Sequence, residues 1–139
     1  MWACTRLAFV LLEQGAHATA YREFMKSLVT ARELDFRPGF SWSLDGLAHL
    51  AARRDIPHLA GRLAAVASSV RAVAGIRLSP QEQTENDRLR EQIRAAIGSE
   101  TDADTWANGE RWTVDEVIAT VQQAFGTMEV GGRATTATA

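Results

Sequence analysis

Apolar and small residues recur along the first half of the chain at helical spacing, and the same arrangement is met twice. At an offset of 40 residues Leu7-Ala8 falls on Leu47-Ala48, Val10 on Leu50, Leu11 on Ala51 and Ala20 on Ala60, with Trp2 on Trp42. Self-similarity of this kind marks a stacked architecture in which one unit cannot bury its apolar face alone. Within each copy the order is large, Leu, small, large at spacings of three, one and three, followed by a small residue that opens a second helix. Cys4, Leu7, Ala8, Leu11, Ala20 and Phe24 fill those places first; Leu44, Leu47, Ala48, Ala51, Ala60 and Ala64 fill them again. Small residues at facing positions let two helices approach closely, while Leu and Phe fill the grooves on either side.

Turn signals divide this pattern into helices. Gly15 breaks the first pair, Arg37-Pro38-Gly39 separates the two units, and Gly75 closes the fourth helix. Asp55 before Ile56-Pro57 reads as an N-cap with proline in the first turn, where its missing N–H costs least. Beyond residue 77 the patterning changes. Ser79-Pro80-Gln81-Glu82 is a capping box, and Gly98 ends a helix whose inward face is Leu89, Ile93, Ala96 and Ile97. A short helix over 101–108 is expected to end at Gly109, with Trp106 as its core anchor. A second box, Thr113-Val114-Asp115-Glu116, starts a helix with Val114, Val117, Ile118, Val121 and Phe125 along one stripe. The expectation is an all-α fold: about two tetratricopeptide-like helical hairpins of period 40 over 1–77 and capping helices over 78–126, forming one helical-repeat domain 1–126. Residues 127–139, rich in Gly, Thr and Ala, read as a flexible tail.

Length and charge narrow the function. At 139 residues the chain can bury one core, and 46% apolar with 23% charged residues is globular rather than disordered. Residues 1–77 carry ten Lys/Arg against six Asp/Glu, a balance of +4, and residues 78–139 carry five against eleven, a balance of −6. Neither half has the dense basic footprint of a nucleic-acid binder, so no direct nucleic-acid contact is expected, and the split suggests attraction between the halves of one fold. Cys4 is the only cysteine, which excludes an intrachain disulfide and a thiolate zinc site and fits a cytoplasmic setting. Arg6, the apolar run 7–12 and Ala16-His17-Ala18 imitate a signal peptide, but the run is short and recurs as helix at 47–52. No stretch is long and apolar enough to span a bilayer, so no membrane partner is expected.

Three stretches together resemble a known family. They are SLVTARELD over 27–35, AGRLAAVASSVRAVAGIRL over 60–78, and the series from Leu78-Ser79-Pro80 through Trp106 and Gly109 to Thr113-Val114-Asp115-Glu116-Val117. Over about Arg6 to Phe125 the chain resembles the C-terminal helical-repeat region of large bacterial signal-transduction ATPases of the LuxR and MalT type. The resemblance implies repeats that sense a partner or inducer, behind an ATPase module and often ahead of a helix-turn-helix DNA reader. This chain lacks a Gly-rich phosphate loop ending in Lys-Ser/Thr, and the stretch after Phe125 is too short for a DNA-reading domain. Nucleotide hydrolysis and promoter binding are therefore not carried over, and the chain reads as a detached repeat segment.

Candidate chemistry is sparse, and no catalytic, cofactor or metal site is assigned. His17, His49 and His58 lack metal-ligand spacing and sit in no nucleophile motif. The run from Asp104 to Asp115 imitates a calcium loop with glycine at its sixth place, but Trp106 stands where an oxygen ligand is needed and Asp115 replaces the bidentate Glu. Glu100, Asp102 and Asp104 read as the acidic first turn of a helix. The functional candidates are instead a groove lined by the first helix of each hairpin. Trp2, Thr5 and Phe9 would line it from the first unit, and Trp42, Asp45, His49 and Arg53 from the second; packing of Phe9 and Trp42 in the core is an equal reading. The expected function is a non-catalytic interaction and sensor module for a protein, peptide or small inducer. Alternatives are a homotypic assembly fragment associating through its first helix, and an enzyme of unrecognised type.

Overall fold

A computed structural model of the chain describes the backbone of residues 2–138 and the side chains of residues 3–126, so the side chain of Trp2 lies outside the described residues; the stretch expected as a tail over 127–139 has helical backbone through residue 138, as a continuation of the last helix. Seven helices follow one another among the described residues: α1 (Trp2–Glu13), α2 (His17–Glu33), α3 (Arg37–Arg53), α4 (Pro57–Ala74), α5 (Pro80–Ile97), α6 (Ser99–Glu110) and α7 (Val114–Thr138). The fold is all-α, and the described residues contain no strand. Consecutive helices from α1 to α4 pack side by side; α6 lies along α4, α5 rests on α4 and α6, and α7 returns to α2. That return is held by the Tyr21 and Phe125 rings, 5.5 Å apart, and by an ion pair of 2.9 Å between Arg32 and Asp115.

The turns between the first helices repeat more closely than the helices do. Gly15, Asp35, Asp55 and Gly75 stand twenty residues apart, and all four have left-handed backbone, with φ of 79°, 51°, 62° and 69°. After each, the next N–H donates back five residues: Ala16 to Leu11, Phe36 to Ala31, Ile56 to Ala51 and Ile76 to Arg71, at 2.8–2.9 Å. This is the helix-ending motif that uses a left-handed residue to satisfy the last carbonyls. In the first three turns the residue after it is also the N-cap position of the next helix, so each connection is short and neighbouring helices run antiparallel.

Two boundaries differ from expectation for this reason. Arg37-Pro38-Gly39 does not separate the units but forms the first turn of α3, with Pro38 near its start. Asp55 is not an N-cap: it is the left-handed residue ending α3, and Ile56 precedes α4 without a side-chain cap. Farther on, both halves of the Ser79–Glu82 capping box form, at 3.2 and 3.1 Å. Thr113 accepts from the Glu116 N–H at 3.2 Å.

The core runs along the seams between helices. Ala8, Ala20, Ala48 and Ala60 are all fully buried, together with Phe24, Leu28, Leu44, Leu47, Leu50 and Leu63. From the C-terminal half Ile93, Val117, Val121 and Phe125 join them, whereas Ala96 and Val114 stay exposed at the ends of their stripes. Helix α6 is longer than expected, and Gly109 lies inside it. A Cβ there would sit 2.7 Å from the Arg62 carbonyl, so glycine lets α6 lie directly against α4. The attraction inferred from the charge split is carried across the halves by Arg32–Asp115; the other described ion pairs lie within one half.

Candidate functional site

The groove residues do not form one surface. Phe9 is half-buried, its ring edge-on to Phe24 at 5.2 Å and to His49 at 5.9 Å, so it wedges α1 against α2 and α3. Thr5 is buried. Trp42 stands edge-on to Phe36 at 6.1 Å, at the start of α3. Arg53, at the other end of α3, donates to Glu13 at 3.1 Å and to the Leu12 carbonyl at 3.5 Å. It thereby fastens the C-terminal end of α1, where free carbonyls favour a cation. Trp42 and Arg53 are eleven residues apart on one helix, about 16 Å, too far to serve one small ligand.

Asp45 and His49 do belong to a site, because α5 closes over them. Asp45 accepts from Arg71 of α4 at 2.6 Å, and the two side chains are only 14% and 12% exposed. Burial pushes the Asp45 carboxyl above the ordinary aspartate range; Arg71 and the Asn86 amide oppose this, and Glu82 adds to it. One helical turn on, burial holds the His49 imidazole below its usual value, with Glu85 and Asn86 opposing and Arg53 assisting. Asn86 of α5 therefore faces both side chains, which are four residues apart on α3 and share a face.

Beside this pair a cleft of about 600 Å³ opens between α4, α5 and α6. Its apolar wall includes Ala64, Ile76, Leu78 and Leu89, and its polar groups come from Asp45, Arg71, Arg77, Gln83, Asn86, Asp87 and Arg90. Trp106 closes one side with the Arg90 guanidinium stacked on its indole, 3.6 Å from the ring centre. The expected core anchor is thus a half-exposed wall of this cleft, and its Nε1 donates to Glu110 at 3.1 Å. Behind it Asp102, almost fully buried, takes Arg90 at 3.0 Å and Arg94 at 3.6 Å. Burial lowers the Arg90 pKa, with Asp102 as the main opposing influence. Arg90 Nη1 and Asp102 Oδ1 are buried without a hydrogen-bond partner.

Sequence reasoning reached Asp45 and His49 but missed Arg71, Asn86, Arg90 and Trp106 as site residues. Asn86 and Arg90 flank the Leu89–Ile93 stripe at a spacing of four, a signal that the otherwise charged faces of α5 conceal. The acidic run divides: Asp102 is buried in ion pairs, while Glu100 and Asp104 are exposed. The imitation calcium loop is helix and turn, and no group of three or more His, Cys, Asp or Glu side chains suited to a metal occurs among the described residues. No helix among the described residues is long and apolar enough to cross a membrane. No protein-family model matches the chain, and comparison with the curated proteins and with the solved structures finds no match.

Proposed function

We propose that the chain is a non-catalytic interaction and sensor module, of the helical-repeat kind found in LuxR-type regulators, that recognises its partner or inducer in the cleft between α4, α5 and α6. The cleft carries this reading. Its volume of about 600 Å³ lies in the usual range for ligand sites, and it combines an apolar wall with a few convergent polar groups. Asp45 and Arg71 hold each other, as do Asp102 and Arg90, which suits preorganised binding better than proton transfer. A thermal-shift screen of metabolites and short peptides tests it, run in parallel on the chain and on Ser68→Trp, which fills the cleft from α4. Ligands that raise Tm only in the unmodified chain support the site; ligands that raise both equally place recognition elsewhere.

One observation favours a second reading, self-association through α1. Leu7 and Val10, one turn apart, are 50% and 51% exposed, while their counterparts Leu47 and Leu50 on α3 are fully buried, with α1 and α2 packed on α3. The bare face of α1 thus matches one that a hairpin of this same chain covers, so a second copy is its natural occupant. Leu7→Glu with Val10→Glu should then turn a sedimenting dimer into a monomer. Identical sedimentation of both proteins as monomers at high concentration would remove this reading.

A further inference from the structure

We infer that the cleft between α4, α5 and α6 binds a small organic anion with a planar or apolar body; this rests on the cleft being the recognition site. Arginines outnumber carboxylates in its lining. Three guanidinium groups, those of Arg71, Arg77 and Arg90, line it, with the amides of Gln83 and Asn86. The two carboxylates facing them are already engaged, Asp45 by Arg71 at 2.6 Å and Asp87 by Gln83 at 2.9 Å. Arg77 forms no ion pair among the described residues and sits on the exposed segment that leads into α5. Arg90 spends its Nη2 on Asp102 and leaves its buried Nη1 without an acceptor.

A cation entering this space would meet the unpaired Arg77 guanidinium and find Asp45 and Asp102 already neutralised by Arg71 and Arg90, whereas a carboxylate or phosphate would find in Arg77 a donor fork with no competing partner among the described residues. The apolar or planar body follows from the rest of the lining, the Trp106 indole and the aliphatic side chains of Ile76, Leu78 and Leu89. The stack of Arg90 on Trp106 fixes the guanidinium plane before anything binds, which lowers the entropy lost on association.

The test is a titration of the ¹⁵N-labelled full chain, followed by amide and indole shifts, with benzoate, its neutral isostere benzamide, and the cation benzylamine. Benzoate should bind weakly, with Kd on the order of millimolar as for any ligand of its size, and move the signals of Arg77, Asn86, Arg90 and Trp106 Nε1–H. Benzamide and benzylamine should bind about tenfold more weakly or not at all. Arg77→Ala, at an exposed position that leaves the fold intact, should weaken benzoate about tenfold while leaving benzamide unchanged. Equal binding of benzoate and benzamide in the cleft overturns the anion assignment and leaves the cleft as a recognition site. If none of the three moves the cleft signals, the assignment and the reading beneath it fall together.

Discussion

The ring of Phe24 occupies the space that a side chain at Gly46 would need, so α2 and α3 meet at the distance a glycine permits. Phe24 is fully buried and is also the edge partner of Phe9, which leaves it little room to turn aside. Gly46→Ala should therefore destabilise the chain by about 1–3 kcal/mol, although alanine is the better helix former. Gly126→Ala is the control. No neighbour lies within 4 Å of a Cβ there, so it should gain about 0.5–1 kcal/mol. Urea unfolding of both variants checks the pair, and a neutral Gly46→Ala would mean that the α2–α3 contact is looser than described.

Much of the helical framework was legible because it is written in local signals: Gly15 and Gly75 at turns, Ser79-Pro80 and Thr113 at helix starts, and alanines such as Ala20 and Ala60 on seams. What escaped was chemistry that depends on which helices meet. Asp55 before Pro57 has the composition of an N-cap, yet its backbone is committed to ending the preceding helix. Trp106 resembles a core anchor until Arg90, sixteen residues earlier, is placed over its ring. The pairing of Asp45 with Arg71 needs α3 and α4 side by side, and the approach of Asn86 needs α5 folded back over both. No periodicity encodes such a crossing.

The Asp45–Arg71 pair should behave as a buried ion pair whose rupture costs more than its presence gains. Arg71→Ala strands a carboxylate and should cost about 3 kcal/mol at neutral pH, more than Asp45→Asn, which keeps an acceptor for the guanidinium. The pH dependence follows from the raised Asp45 pKa. Its favourable contribution is complete below the unfolded value of 3.8 and is lost as pH rises through the higher folded value. Removing Arg71 takes away the main influence opposing that rise. The deficit of Arg71→Ala should thus shrink as pH falls from neutrality toward the unfolded value of 3.8, as the stranded carboxyl takes up a proton. A deficit that is flat across this window contradicts the pairing.

His49 makes the opposite prediction. Its pKa is lowered by burial, so its contribution is complete above the unfolded value of 6.5 and is lost as pH falls through the lower folded value. Melting temperature should drop as the solution is acidified from about pH 7.5 to about pH 5, and His49→Gln should remove much of the slope. His17, lowered by burial and by the nearby Arg54 and Arg53, should supply a remainder that disappears in the double variant. If His49→Gln retains the full slope, the imidazole is not sequestered between Phe9 and α5.

The repeated turns make a prediction about the backbone alone. Asp35 and Asp55 hold φ of 51° and 62°, a region that costs an L-residue about 1–2 kcal/mol, whereas Gly15 and Gly75 reach it freely. Asp tolerates the conformation better than most side chains and both aspartates are exposed, so neither position has packing to lose. Asp35→Gly and Asp55→Gly should each gain about 0.5 kcal/mol after the greater unfolded-state entropy of glycine is deducted. Gly15→Ala and Gly75→Ala should each lose about 1 kcal/mol, despite open space around both Cβ positions. Four single variants in urea therefore give two gains and two losses, with the sign set by turn geometry and not by contacts. A loss at Asp55→Gly would show that the aspartate side chain, and not the left-handed backbone, is what closes α3 onto α4.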